Sequence, residues 1–309
     1  MSNWAELLTE QRNPASYRID EVSTLEMLEI INQEDARIVP AIKQELAAIA
    51  QAVDLVAAAF DRGGRLYYMG AGTSGRLGIV DAAECPPTYG TDPEMIQGLI
   101  AGGTGAIFQP VEGVEDCREA GAQDLQKRNL SSRDAVVGIA ASGVTPYVLG
   151  GLEYARAQSS STILFTCSPS AALTVEVDVK IVPAVGPEVI TGSTRMKAGT
   201  ATKMVLNMIS TGAMVKQGKT YGNLMVDLES KNAKLQDRSI RILATLTRLS
   251  VDRAMQHLKR AGWDLKLALV MVMCKVERDA ACTLLKQHKG VVKNAVRSKA
   301  LPNDRTHSL

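Results

Sequence analysis

Five short apolar runs, at residues 65–69, 95–101, 135–141, 162–167 and 177–184, alternate with segments of helical periodicity near 75–83, 116–127 and 146–157. Strands joined through helices run parallel, because a parallel neighbour needs a crossover long enough to return the chain to the same end. Both faces of such a sheet must then be covered, which explains why runs such as Val136-Val137-Gly138-Ile139-Ala140 are apolar throughout and do not alternate. The pattern predicts an α/β fold, a doubly wound parallel sheet with helices on both faces. Ligands in these sheets bind beyond the carboxyl ends of the strands. Three loops fall on that rim, at 70–74, 102–105 and 142–145.

The alternation is flanked by helical sequence on both sides. Residues 1–22 show little periodicity and read as an arm, and Ser23-Thr24-Leu25-Glu26 is a capping-box pattern opening a helix with Met27, Leu28, Ile30 and Ile31 on its apolar side. A second helix opens at Pro40, runs to Phe60 and is stopped by Gly63-Gly64. After Asn223 the alternation ends, and short amphipathic helices follow, broken near 249–252, 262–264 and 288–290. The expected organisation is an N-terminal arm with helices (1–56), a sheet domain (57–226), an all-helical C-terminal domain (234–298) and a polar tail (299–309).

Composition narrows the class of partner. A net charge of +2 over 309 residues gives no broad basic surface, and 4% aromatic residues give no stacking platform, so a nucleic-acid partner is not expected. The chain has no apolar run of membrane-spanning length, and its first residues lack an apolar signal core. The five cysteines show neither a Cys-x-x-Cys pair nor neighbouring histidines, so no metal site is expected and reduced thiols in a cytoplasm fit best. The three histidines, His257, His288 and His307, all lie far along the chain, where packing or surface roles are expected.

The rim loops carry the chemistry. Gly70-Ala71-Gly72 lets the backbone turn sharply, and Thr73 and Ser74 stand at a helix start, where free N–H groups, the positive dipole end and two hydroxyls suit a phosphate. Gly70-x-Gly72-x-x-Gly75 is also a dinucleotide fingerprint, but the next apolar run closes on Gly102-Gly103 without the carboxylate that would hold a ribose. Ser142, Gly143 and Thr145 repeat the hydroxyl loop after a second strand, with Pro146 opening the next helix. Ser193, Thr194, Arg195 and Lys197 cluster at the opening of a long helix; cations are unfavourable there unless they serve an anion or an acid. Two carboxylates accompany these loops: Glu84, ahead of Cys85-Pro86-Pro87, which are expected to end its helix, and Glu115, beyond the second glycine loop.

YMGAGTSGRLG, DAAECPPTYG, VEGVEDCREAG, GIAASGVTPYV and TGSTRMKAGTATKMVLNM, in this order, resemble the N-acetylmuramic acid 6-phosphate etherase family over nearly the whole chain. The resemblance implies a sugar-isomerase (SIS) domain, a helical C-terminal domain, a cytoplasmic homodimer and no metal or nucleotide cofactor. It implies a phosphorylated amino-sugar substrate whose D-lactyl ether is eliminated and whose product is rehydrated, as in cell-wall sugar recycling, with Glu84 and Glu115 as catalytic glutamates. The sequence departs from the family pattern at Val144, where relatives often carry arginine. A non-catalytic sugar-phosphate sensor resembling glucokinase regulatory protein, or an aldose–ketose isomerase, would use a similar pocket; a sensor has no use for paired proton-transfer groups.

Overall fold

The computed structural model describes residues 7–228 and 232–300, the last without its side chain; most of the polar tail, with His307, lies outside the described residues. The chain forms two compact units. The first runs up to Glu84 and resumes over Asp92–Ala213; the second takes Cys85–Thr91 and the chain from Met214 onward.

The first unit is built on the expected sheet. Strands β1 (Leu66–Gly70), β2 (Ile96–Ile100), β3 (Ala135–Ile139), β4 (Ser161–Phe165) and β5 (Val179–Ile181) pair in the order β2-β1-β3-β4-β5. Every pairing is parallel. Central strands β1 and β3 are buried along their full length, as their unbroken apolar runs require. On one face Tyr67, Met69, Val136, Val148, Leu152 and Leu164 share a core.

Helix α1 (Thr24–Asp35) starts as expected, with Ser23 Oγ accepting from the Glu26 N–H. The single helix expected from Pro40 to Phe60 is instead two, α2 (Ile38–Gln44) and α3 (Leu46–Asp61). Glu45 at the junction has left helical geometry, and its carboxylate accepts the Val182 N–H at 2.8 Å. A tertiary bond beyond β5 thus sets a break that the local sequence does not announce.

Helix α4 (Gly72–Tyr89) corrects a second expectation, since it continues through Pro86 and Pro87. Proline's fixed φ is close to the helical value, and what it removes is a donor and some room one turn back. Near the C-terminal end few bonds remain to be lost, and the Gly90 N–H still reaches the Pro86 carbonyl at 2.9 Å.

The remaining helices of this unit are α5 (Gly105–Phe108), α6 (Arg118–Lys127), α7 (Pro146–Ala157) and α8 (Pro169–Ala172). Helix α9 (Lys197–Lys216) runs on past the unit's last residue, Ala213. The arm packs on its own chain: Thr9 O accepts from Gly192 N–H at 3.1 Å, and Ser16 Oγ donates to Val189 O at 2.7 Å.

In the second unit a two-strand ribbon, β6 (Thr220–Tyr221) and β7 (Leu224–Met225), precedes α10 (Ala233–Thr247), α11 (Val251–Arg260), α12 (Leu265–Cys274), α13 (Arg278–Gln287) and α14 (Val292–Ala300). Asn232, Ser250 and Asp264 each cap the following helix through a side-chain oxygen. Residues 265–271 are buried at the centre of this helical core, with Val272 packed against them. A break at Lys275, which takes a left-handed backbone at φ +54°, was not expected from the sequence.

Candidate active site

Strand order fixes where a ligand can enter. The chain leaves β1 toward β2 on one side and the sheet continues through β3 on the other, so loops at the carboxyl ends of β1 and β3 diverge and leave a crevice. A cavity of about 310 Å³ lies there, walled by Gly72, Thr73, Ser74 and Arg76 from α4, by Ala101 beyond β2, by Glu112 and Glu115, and by Thr145 and Thr194.

Each wall has a local cause. Gly75 lets α4 close on the sheet: a Cβ there would lie 2.6 Å from Ile100 Cγ1 and 2.7 Å from the Gly70 carbonyl. Gly72 has φ +52° with open space around it, which turns the chain from β1 into the helix. The first turn of this 18-residue helix therefore faces the cavity with Thr73 and Ser74, where backbone N–H groups have no intrahelical acceptor. Thr145 is the N-cap residue of α7, yet its hydroxyl makes no capping bond, so it is not consumed by the helix it precedes. Glu115 sits half-buried on a single 3-10 turn, Val114–Asp116, entered through Gly113 at φ +76°.

Of the residues expected to bind substrate, Gly72, Thr73, Ser74, Thr145 and Thr194 line this cavity, together with Glu115. Ser142, Gly143, Ser193 and Arg195 do not. Gly143, at φ +80°, is the buried pivot of its loop against Ala171 and Thr166; Ser142 and Ser193 are half-buried, and Arg195 is exposed.

Lys197 is placed quite differently from the expectation. Its side chain is 0% exposed and its Nζ lies 2.6 Å from Glu34 Oε2, which also accepts from Asn13 Nδ2 at 2.7 Å. The anion at the start of α9 is supplied by the protein: the Glu188 carboxylate accepts the Lys197 and Ala198 N–H groups, each at 2.9 Å. Burial pushes the Glu188 carboxyl above its ordinary range even with these two bonds. Lys197 thus answers to a buried acid, the other of the two conditions under which a cation is tolerated at a helix start.

Glu84 is likewise not on the cavity wall. It is exposed, ten residues beyond Ser74 on the same helix, about 15 Å along the axis. It shares an exposed face with Val80 and Ala83, and Val80 is 53% exposed. Below that face Asp81 accepts from Asn207 Nδ2 and, at 3.1 Å, from Ser210 Oγ, which seats α4 on α9. Within one chain, therefore, Glu115 lines this cavity and Glu84 does not.

Arg76, also on the cavity wall, was not among the residues singled out from the sequence. Its Nε and Nη2 donate to the Ile107 and Ala106 carbonyls, each at 2.8 Å, bracing the end of α5. A cation one turn into a helix that opens on a glycine loop was the available signal.

The family model described as glucokinase regulatory protein N-terminal SIS domain matches residues 48–156, the span that holds β1, β2 and β3. An N-acetylmuramic acid 6-phosphate etherase of Vibrio vulnificus (strain YJ016) is 52% identical over 293 residues, covering 95% of this chain and 98% of the relative. Etherases of the same name from Edwardsiella ictaluri (53% over 290 residues, 94% and 97% covered) and Clostridium beijerinckii (49% over 294 residues, 95% and 97% covered) agree. The chain belongs to the N-acetylmuramic acid 6-phosphate etherase family. This full-length match contrasts with the regulatory-protein model, which reaches only the first part of the sheet domain. The sensor reading is therefore not favoured.

Proposed function

We propose that this protein cleaves the lactyl ether of N-acetylmuramic acid 6-phosphate, releasing N-acetylglucosamine 6-phosphate and D-lactate. The observation that carries this reading is one cavity, in a chain about half identical to the etherases over nearly its full length, that combines an open helix start, four threonine or serine side chains and the carboxylates of Glu112 and Glu115. The phosphate sits against the first turn of α4, taking N–H groups and the Thr73 and Ser74 hydroxyls, with Thr145 and Thr194 opposite. This leaves carbons 2 and 3 of the opened sugar toward Glu115.

The chemistry follows from an aldehyde at carbon 1, which acidifies the carbon 2 hydrogen. A carboxylate removes that proton, the carbon 3–oxygen bond breaks, and the departing lactate oxygen takes a proton from an acid. Water then adds at carbon 3 of the unsaturated aldehyde while carbon 2 regains a proton, so one water is consumed and both products are accounted for.

Glu115 is one of the two groups. Glu84 is the other, reaching the cavity from a second copy of the chain. The exposed face of Val80, Ala83 and Glu84 is the apolar, carboxylate-bearing surface that such a copy would cover. The working form in this reading is a cytoplasmic homodimer with sites completed across the interface.

Purified protein incubated with N-acetylmuramic acid 6-phosphate is expected to release D-lactate and no ketose. Glu115→Gln is expected to lower that rate by about 10²–10⁴-fold, with binding of N-acetylglucosamine 6-phosphate retained. Ketose formation, or unchanged lactate release in Glu115→Gln, would contradict the reading. Mixing the inactive variants Glu84→Gln and Glu115→Gln tests the shared site, because hybrid dimers regain one intact site and about a quarter of wild-type activity overall. Failure of mixed dimers to regain activity would place Glu84 and Glu115 in one chain's site.

A further inference from the structure

Among the described residues Arg76 is the one cation on the cavity wall, which it shares with Glu112 and Glu115. Among the described residues no carboxylate lies within 4.0 Å of it, and its Nη1 amino group meets no acceptor. A cation in a cleft beside two acids, paired with neither, is arranged for an anion brought from outside.

We propose that Arg76 binds the lactyl carboxylate and so selects the 3-O-lactyl sugar phosphate over sugar phosphates that lack this group. The inference rests on the proposed etherase reading and names the seat of the substrate's second anion.

The assignment between the two anions follows from geometry. The phosphate has the first turn of α4, with its N–H groups and the hydroxyls of Thr73 and Ser74. Arg76 is two residues further on and is tied to Ala106 and Ile107, on the wall from which the chain continues to Glu115. A lactyl carboxylate brought beside Glu115 with no cation would meet like charge. A guanidinium there offsets that repulsion. The two carbonyl bonds also hold the planar fork in place before substrate arrives, so little side-chain freedom is lost on binding.

The contact also serves the elimination. The ether oxygen and the carboxylate sit on the same lactyl carbon, so a guanidinium that grips the carboxylate keeps the leaving oxygen within its field as charge develops there. Arg76 makes no covalent bond and moves no proton in this account.

Binding separates this role from a structural one without relying on turnover. The probes are N-acetylmuramic acid 6-phosphate, its lactyl carboxamide and N-acetylglucosamine 6-phosphate, titrated by calorimetry into wild-type protein, Arg76→Gln and Arg76→Lys, each first checked for an unchanged unfolding midpoint. To hold the substrate intact, the titrations use the Glu115→Gln background. Wild-type-like Arg76 is expected to prefer acid over amide by about 10–100-fold, the worth of a charge-assisted pair. Arg76→Gln should abolish the preference and leave N-acetylglucosamine 6-phosphate within about twofold, and Arg76→Lys should restore part of it.

Equal weakening of all three ligands in Arg76→Gln, or loss of the fold in both variants, would make Arg76 a phosphate contact or a brace for α5 and overturn the proposal. So would an acid preference that survives the substitution. A protein that shows the acid preference yet releases no lactate from the substrate would sink the etherase reading and leave the Arg76 site standing.

Discussion

Two helices open beside each other in the first unit, and their starts have been filled in opposite ways. At α9 a buried carboxylate, Glu188, takes the first N–H groups, and the cation beside it, Lys197, is locked to Glu34. At α4 the first turn meets a cavity through Gly72, Thr73 and Ser74, and no carboxylate among the described residues accepts from its N–H groups. The two are close: a Cβ on Gly199, in the first turn of α9, would lie 3.6 Å from Thr73 Cγ2. One helix start has its anion built in and serves the fold, while the other is left for an anion that arrives and departs. A basic residue at a helix start is therefore not a ligand signal until the buried acids have been located.

The largest expected effect comes from breaking the closed start. Lys197→Met removes the buried cation from Glu34 Oε2 and leaves only the exposed Arg37, 3.2 Å from Oε1; losing one partner of a buried pair costs about 3–5 kcal/mol, with Arg37 holding the loss toward the lower figure, measurable as a fall in urea midpoint. A variant of normal stability that instead bound sugar phosphate weakly would reverse the comparison. At the open start, Gly72→Ala is expected to cost about 1–2 kcal/mol from its left-handed backbone alone, because no atom lies within 4 Å of the added methyl. Gly75→Ala, with contacts under 3.0 Å to Ile100 and the Gly70 carbonyl, should cost more.

The smallest effect is in pH dependence, and its sign differs between the two buried acids. Burial raises the Glu34 carboxyl, but bonds from Lys197 and Asn13 outweigh it and hold it below its ordinary value. Its contribution is present above the unfolded value of about 4.3 and is lost as pH falls through the lowered folded value. Glu188 is raised by burial, so its ionised form costs stability above the unfolded value, and that cost is relieved as pH falls below the raised one. Glu188→Gln should therefore gain stability relative to the wild type as pH rises from about 4 to 8. Unfolding midpoints across that range check it; a difference that shrinks with rising pH would mean that the carboxylate is better stabilised than its burial allows.

The sheet was legible because its signal is local. Runs such as Ala135 to Ile139 need only be apolar and bounded, and all five expected strands appear in one parallel sheet. What failed depends on partners far along the chain. Glu45 breaks a helix by bonding Val182, and Glu34 claims Lys197 across 163 residues, neither of which leaves a mark in the neighbouring sequence. Glu84 was grouped with the first loop because it follows closely in sequence, but a helix carries it away at a fixed rise per residue. The hydroxyls divided for a similar reason: Thr145 meets the cavity while Ser142, three residues earlier, does not.

The open start of α4 is tested most directly by whether it reads phosphate. Affinities of N-acetylglucosamine 6-phosphate and of the unphosphorylated sugar should be measured for wild type, Ser74→Ala and the double variant Thr73→Val/Ser74→Ala. Each lost hydroxyl is expected to weaken the phosphorylated sugar by about 10–100-fold and to leave the unphosphorylated one unchanged. Equal losses for both sugars, or a phosphate preference that persists in the double variant, would contradict the assignment of this helix start to the phosphate.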